Sequence, residues 1–302
     1  MRSGPAHVII LMATYNGMPW LTEQLSSLLA QTHRNWSLWV SDDGSTDGTR
    51  AAIMAFGKAN PGRLARIVQG PGKGAAANFI HLMCHPDLPS GIVALCDQDD
   101  VWMPDKLARA LDVLRDSDTR PCVWSARYAI TDAALSRARP SPVWRRPPGF
   151  ANAMVQNILS GHTLTLNAPA LAVLRRAGVQ DVPHHDWWVY LVMAATGAHI
   201  HVDDRIVLQY RQHGANLMGA RNLTRLARMR GILDGTLQGW IAANVAALAR
   251  SDLPLTQEAC DVIAAWQEPG QSHSRLMRRF GLNRQSAQET GILYLVAALG
   301  KL

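Results

Sequence analysis

Three carboxylates crowd into four residues at Asp97-Gln98-Asp99-Asp100. They follow an apolar run, Ile92 to Cys96, that reads as a buried strand. Like charges this close repel, so the cluster needs a cation or several hydrogen-bond donors to compensate it. Hard oxygen ligands at the carboxyl end of a strand suit Mg²⁺ or Mn²⁺ carrying a diphosphate. The same residues could instead form a solvated turn ahead of a helix that starts at Asp105. Two earlier strand-like runs also end in polar residues, Ala13-Thr14-Tyr15-Asn16-Gly17 and Ser41-Asp42-Asp43-Gly44-Ser45-Thr46-Asp47-Gly48. Together they supply what a nucleoside needs: a ring to stack on the base, a carboxylate for its imide N–H and another for ribose hydroxyls. A turn with a helix N-cap accounts for Gly44, Ser45 and Asp47, but not for adjacent Asp42 and Asp43.

The elements that would position these groups alternate through the first half. Apolar runs at 8–13, 36–41, 66–68 and 92–96 read as strands, and 19–31, 49–59 and 75–83 have helical spacing. This order predicts a mainly parallel sheet with helices on both faces, so the polar strand ends share one edge. Strands follow at 122–130, 164–167, 200–202 and 206–210. Residues 136–150 form a basic, proline-rich loop, a candidate lid. From about Asn222 the chain reads as helical with scattered arginines.

The chain has 302 residues, 48% of them hydrophobic and 18% charged, enough for a large core. A net charge of +7 favours anionic partners. The arginines are not interleaved with aromatics, so a nucleic-acid partner is not expected. Trp36, Trp39, Trp102, Trp124, Trp187 and Trp188 lie in apolar runs and read as core or pocket wall. Four scattered cysteines without a CxxC pair suggest a reducing cytoplasm. No signal peptide or membrane-length apolar run is evident.

The strand-end motifs resemble those of family 2 glycosyltransferases with the GT-A fold. His185-Asp186-Trp187-Trp188 and Tyr210-Arg211-Gln212-His213-Gly214-Ala215-Asn216 extend the resemblance, and the last pair is most like the bacterial rhamnosyltransferase branch. Five motifs in order, over roughly residues 6–220, carry it. The resemblance implies a nucleotide-sugar-binding catalytic domain over 1–220 and a helical extension over 221–302.

It also implies roles. Thr14, Tyr15, Asn16 and Asp43 would bind the nucleotide, with Asp42 as a helper. Asp97 and Asp99 match the outer residues of a DxD motif, Asp97 on ribose and Asp99 on a Mg²⁺ or Mn²⁺ ion, and Gln98 between them would also bind the nucleotide sugar. His213 would be a second metal ligand. Arg211 would face the diphosphate or lock its loop. Gly70 to Asn78 resembles a glycine-rich loop whose Lys73 would assist phosphate, unless it is an ordinary surface lysine. Gly161, His162 and Trp187 would shape the donor–acceptor pocket, where His162 departs from the small residues of the pattern. Asp186 would be the base that takes the acceptor's proton, and it could also cap the helix that follows.

The implied reaction is inverting, metal-dependent transfer from a dTDP-rhamnose or UDP-sugar donor to a surface-glycan or lipid-linked hydroxyl. The implied location is cytoplasmic. Residues 275–282 are the best candidate for peripheral contact with the inner membrane face, and self-association stays open. A nucleotidyltransferase and a catalytically silent nucleotide-sugar-binding protein are the alternatives. The first should carry a basic glycine-rich loop where Thr14-Tyr15-Asn16 stands.

Overall fold

A computed structural model describes residues 6–115, 119–214 and 235–300. Its centre is a sheet of nine strands among the described residues, ordered β3-β2-β1-β4-β8-β6-β9-β5, with β7 paired to β6. The strands β1 (Val8–Thr14), β2 (Trp36–Asp42), β3 (Leu64–Gln69) and β4 (Ile92–Cys96) form a wholly parallel half. Every residue of β1 is buried, which explains its unbroken apolar sequence in place of an alternating one. Helices α1 (Leu21–Leu29), α2 (Thr49–Ala59) and α3 (Ala75–Met83) make the crossovers. Register places Thr14 beside Asp42, and Met12 beside Cys96, so the polar strand ends do share one edge.

The second half is mixed. Short β5 (Val101–Trp102) is followed by α4 (Lys106–Leu114), and the long β6 (Cys122–Thr131) runs parallel to β9 (His199–Arg211). The two-residue β8 (Thr165–Leu166) is antiparallel to both β4 and β6, joining the halves. Two departures from the sequence reading follow. The runs at 200–202 and 206–210 are one strand, bent where the register with β6 shifts around Arg127. The candidate lid contains β7 (Ala138–Pro140), paired with residues 129–131 of β6, so part of it belongs to the sheet.

Two helices pack under this half, α6 (Ala168–Ala177) and α7 (His185–Ala195), with the single turn α5 (Phe150–Ala153). The described C-terminal helices are α8 (Thr236–Arg250), α9 (Gln257–Gln267), α10 (His273–Arg279) and α11 (Ala287–Ala298). Their apolar residues, among them Ile241, Val262, Met277 and Val296, join the same buried cluster as Leu11, Leu95 and Trp187. The extension therefore shares a core with the sheet. The boundary expected near residue 220, the motif residues Ala215 and Asn216, and arginines 221, 225, 228 and 230 lie outside the described residues.

The membrane candidate offers no apolar face. Leu276, Met277 and Leu282 are buried, so the apolar side of residues 275–282 faces the protein and leaves Arg275, Arg278 and Arg279 outside. No helix among the described residues is long and apolar enough to cross a membrane.

Candidate functional site

The end of β1 is organised by side chains reaching back to it. Asn16 sits at φ 46°, a left-handed conformation, and its Oδ1 accepts the Thr46 N–H at 2.8 Å. Gln98 pairs with the Tyr15 backbone on both sides, at 2.9 Å each, so its amide is a positioning group for the loop. A Cβ at Gly17 would lie 2.5 Å from Gln98 Oε1, which is why glycine stands there. The Tyr15 ring is 59% exposed and free to stack on a flat ligand.

Asp42 and Asp43 divide their labour. Asp42 is fully buried and accepts Thr14 Oγ1 at 2.8 Å, Ser45 N at 3.0 Å and Ser45 Oγ at 2.6 Å. Both of its oxygens are occupied inside the protein. The expected nucleotide helper is instead a knot that ties β1 to the turn after β2. Asp43 accepts Gly72 N at 2.8 Å and Gly74 N at 2.9 Å, so it shapes the glycine-rich loop. Gly70 is required for this approach, because a Cβ there would meet Asp43 Oδ1 at 2.3 Å. Lys73 projects from the loop into solvent.

The carboxylate cluster lies between β4 and β5. Pairing of Val101 and Trp102 with Gln209 and Leu208 brings the end of β9 against it. Arg211 N donates to Asp100 Oδ1 at 3.3 Å, and Arg211 Nε to the Asp99 carbonyl at 3.0 Å. The guanidinium also bonds Glu23 and lies 4.6 Å from the Trp20 ring centre. Arg211 is only 1% exposed, so of its two expected placements the structure gives the loop lock, not a cation facing a diphosphate. His213 Nε2 is hydrogen-bonded to Asp99 Oδ2 at 2.9 Å and its ring stacks on Trp20.

Asp97 and Asp100 face a different histidine. His162 Nδ1 lies 3.7 Å from Asp97 Oδ2 and 3.8 Å from Asp100 Oδ2. Burial would raise the Asp97 carboxyl, but the neighbouring His162 outweighs it and holds it below the ordinary value. Asp100 goes the other way. Burial, then the charges of Asp99 and Asp97, push it well above the carboxylate range. It does not cap the following helix.

Lys106, which the motif reading passed over, lies beneath this cluster. It is fully buried, donates to the His162 carbonyl at 2.9 Å and sits 3.2 Å over the Trp102 ring. Burial lowers its pKa to about 7, against the opposing pull of Cys96, Asp100 and Asp97. One signal could have found it. Leu107, Ala110, Leu111 and Leu114 mark the buried face of α4, and position 106 falls beside it.

Asp186 is the second residue of α7, with His184 at the cap position, so it is not the N-cap. Its Oδ1 accepts the Trp187 N–H at 2.8 Å and its Oδ2 the Gly161 N–H at 3.3 Å. A carboxylate in the first turn also meets the positive end of the helix dipole. A Cβ at Gly161 would lie 2.4 Å from His185 Nε2, so glycine lets α7 approach this closely. His185 stacks on Phe79, and burial holds its pKa down even though Asp186 and Asp97 both pull it up. Trp187 is 4% exposed and its Nε1 donates to the Ala153 carbonyl at 2.7 Å. It is core and not pocket wall, a correction to its expected place.

Gly161 and His162 are neighbours on one 3₁₀ turn. One donates to Asp186, and the other faces Asp97 and Asp100. The candidate base and the carboxylate cluster therefore flank a common floor.

A family model, Glycosyl transferase family 2, matches residues 9–182. The chain belongs to this family. Among curated relatives, the dTDP-rhamnosyl transferase RfbG of Shigella flexneri is 29% identical over 220 residues, covering 69% of this chain and 74% of that one. The glucosyltransferase WfgD of Escherichia coli, whose name gives UDP-Glc as donor and a GlcNAc-diphosphoundecaprenol acceptor, is 31% identical over 107 residues, 35% of this chain and 40% of its own. Among solved structures, S. aureus TarS 1-349 in complex with UDP-GlcNAc aligns with a TM-score of 0.59 at 17% identity, covering 97% of this chain and 81% of its own. The mannosyltransferase PcManGT of Pyrobaculum calidifontis, in complex with GDP-Man and Mn²⁺, aligns with a TM-score of 0.54 at 19% identity, covering 99% and 87%. The fold of this family 2 glycosyltransferase is GT-A, with a helical C-terminal extension.

Proposed function

We propose that this glycosyltransferase inverts the anomeric centre of a nucleoside-diphosphate sugar as it passes the sugar to a hydroxyl of a surface-glycan or lipid-linked acceptor. The observation that carries this is the shared floor: Gly161 N donates to Asp186, and His162 faces Asp97 and Asp100. Consecutive Cα atoms are about 3.8 Å apart, so a base and an anion-handling cluster face one small volume.

Each residue's task follows from its surroundings. Tyr15 offers its ring to the base, and Asp43 holds the glycine-rich loop in place beside it. Asp97, a third exposed, takes a ribose hydroxyl. Asp186, anchored by two backbone N–H groups, accepts the acceptor's proton as oxygen bonds to the anomeric carbon and the bond to the diphosphate breaks. The residues fit a divalent cation, because a carboxylate–imidazole pair is a suitable donor set. Asp99 and His213 would hold it, and a bound cation would neutralise charge developing on the departing diphosphate.

The dTDP-rhamnosyl relative makes dTDP-rhamnose the first donor to test, with UDP-sugars next. We place the enzyme in the cytoplasm, in peripheral contact with the inner membrane face. Exposed Arg275, Arg278 and Arg279, with Leu295 and Leu299 exposed on the packed neighbouring helix, support that reading.

A panel of dTDP-, UDP- and GDP-sugars with Mn²⁺ or Mg²⁺, read by nucleoside diphosphate release, tests the assignment. Release from one donor, reduced about 10²-fold or more in Asp186→Asn and Asp99→Ala, is expected. A protein that binds no nucleotide sinks it, and one that binds without turnover in the presence of acceptor favours the silent-binder alternative.

A further inference from the structure

We propose that Asp97, Asp100 and His162 form an inner divalent-cation site, separate from the Asp99–His213 pair, at the floor of the cleft. One ligand atom from each residue lies within 4.8 Å of the others. The 3.7 and 3.8 Å separations of His162 Nδ1 from the two carboxylates exceed a good hydrogen bond. They match the spacing of ligand atoms around a shared ion with bonds of about 2.1 Å.

A second observation is independent of the clustering. Asp100 is fully buried, and its Oδ2, the oxygen turned toward His162, has no hydrogen-bond partner. A buried carboxylate oxygen left without a partner is costly, and a cation on that oxygen removes the cost. The nearest ammonium does not serve. Lys106 Nζ is committed to the His162 carbonyl and the face of Trp102.

The imidazole is built in rather than merely nearby. His162 is 7% exposed, stacked on Tyr210 at 5.0 Å and set edge-on to Tyr128 at 4.6 Å, while Lys106 fixes its backbone. A ring held this way presents Nδ1 to both carboxylates without losing further freedom on binding. Two carboxylates and an imidazole suit Mn²⁺ or another first-row divalent ion better than Mg²⁺, which favours oxygen and water. Three protein ligands bind an ion without help, whereas the Asp99–His213 pair offers two and needs the diphosphate to complete its shell. The inner ion therefore binds first, in the absence of nucleotide. This deepens the transferase reading by adding an ion to its cleft, yet its test uses the metal alone.

Untagged, chelator-treated full chain is titrated with Mn²⁺ without nucleotide, free ion being followed by electron paramagnetic resonance. Pulsed measurements on the bound ion then detect coupling to a histidine nitrogen. Expected are one tight ion per chain and nitrogen coupling that survives His213→Ala. His162→Asn should abolish the coupling, and it and Asp100→Asn should each weaken binding about tenfold or more. No binding without nucleotide, or coupling lost in His213→Ala, overturns the proposal. If His162→Asn does not fold by near-ultraviolet circular dichroism, the His213→Ala result decides alone. Mn²⁺ held through His162 in a protein that turns over no donor would sink the transfer reading and leave this site standing.

Discussion

Replacing Lys106 by methionine should flatten the pH dependence of stability. The ammonium is fully buried and its pKa is lowered from 10.5 to about 7, burial being the dominant cause. Between those values the unfolded chain holds a proton that the folded chain has shed. Stability therefore rises with pH across that interval, and the full penalty stands below about pH 7. At about 1.36 kcal/mol per pKa unit, moving from about pH 7 to about pH 9.5 relieves roughly 3 kcal/mol. Buried Cys84, held at about 11, and Cys96 act in the opposite sense above pH 9.0, because the unfolded chain ionises its thiols first. Both thiols remain in the variant, so the difference in slope reports Lys106 together with its pull on Cys96. Denaturant unfolding at the two pH values, in chelator, followed by tryptophan fluorescence, measures it. The wild type should gain about 3 kcal/mol more than Lys106→Met over the interval. Equal changes in the two proteins would refute the idea that a strained cation lies beneath the carboxylates.

Three further outcomes follow from named contacts. Gly161→Ala pushes a Cβ to 2.4 Å from His185 Nε2, and the resulting shift of α7 should cut turnover about 100-fold while the thermal midpoint moves little, read by steady-state kinetics beside a melt. Asp42→Ala orphans the three donors that converge on it and should cost about 3 kcal/mol in denaturant unfolding, with Asp42→Asn costing less. Arg284→Ala removes a bond at 2.8 Å to the Val155 carbonyl and one at 3.1 Å to Glu289, and should cost about 1–3 kcal/mol in denaturant unfolding.

The parallel half of the sheet was legible because its strands are continuous apolar runs and its helices, at 49–59 and 75–83, keep a strict period. The shared edge of polar strand ends follows from that topology alone. Roles within the edge were less legible. Asp42 and Asp43 are adjacent in sequence, but pleating turns one inward to Thr14 and the other outward to the glycine-rich loop. Trp187 and Asp186 are adjacent too, and helical rotation sends one into the core and leaves the other at the floor. The pairing of His162 with Asp97 and Asp100 was out of reach, since it depends on β8 reversing the chain across the sheet. The fastening of the candidate lid was equally hidden. Arg146 N donates to Gln285 Oε1 at 2.9 Å, and Asn152 Nδ2 to the Asn283 carbonyl at 2.9 Å, across more than a hundred residues of sequence.

That fastening has a bearing on synthesis. The parallel half of the sheet, which carries Tyr15, Asp43 and Asp97, is complete in sequence by Asp100, so it can begin to organise before the rest of the cleft is made. The segment around Arg146 to Gln156 waits for Asn283, Arg284 and Gln285, which are made more than a hundred residues later. A nascent chain would thus hold the parallel half of the sheet without the fastening that fixes residues 146–156.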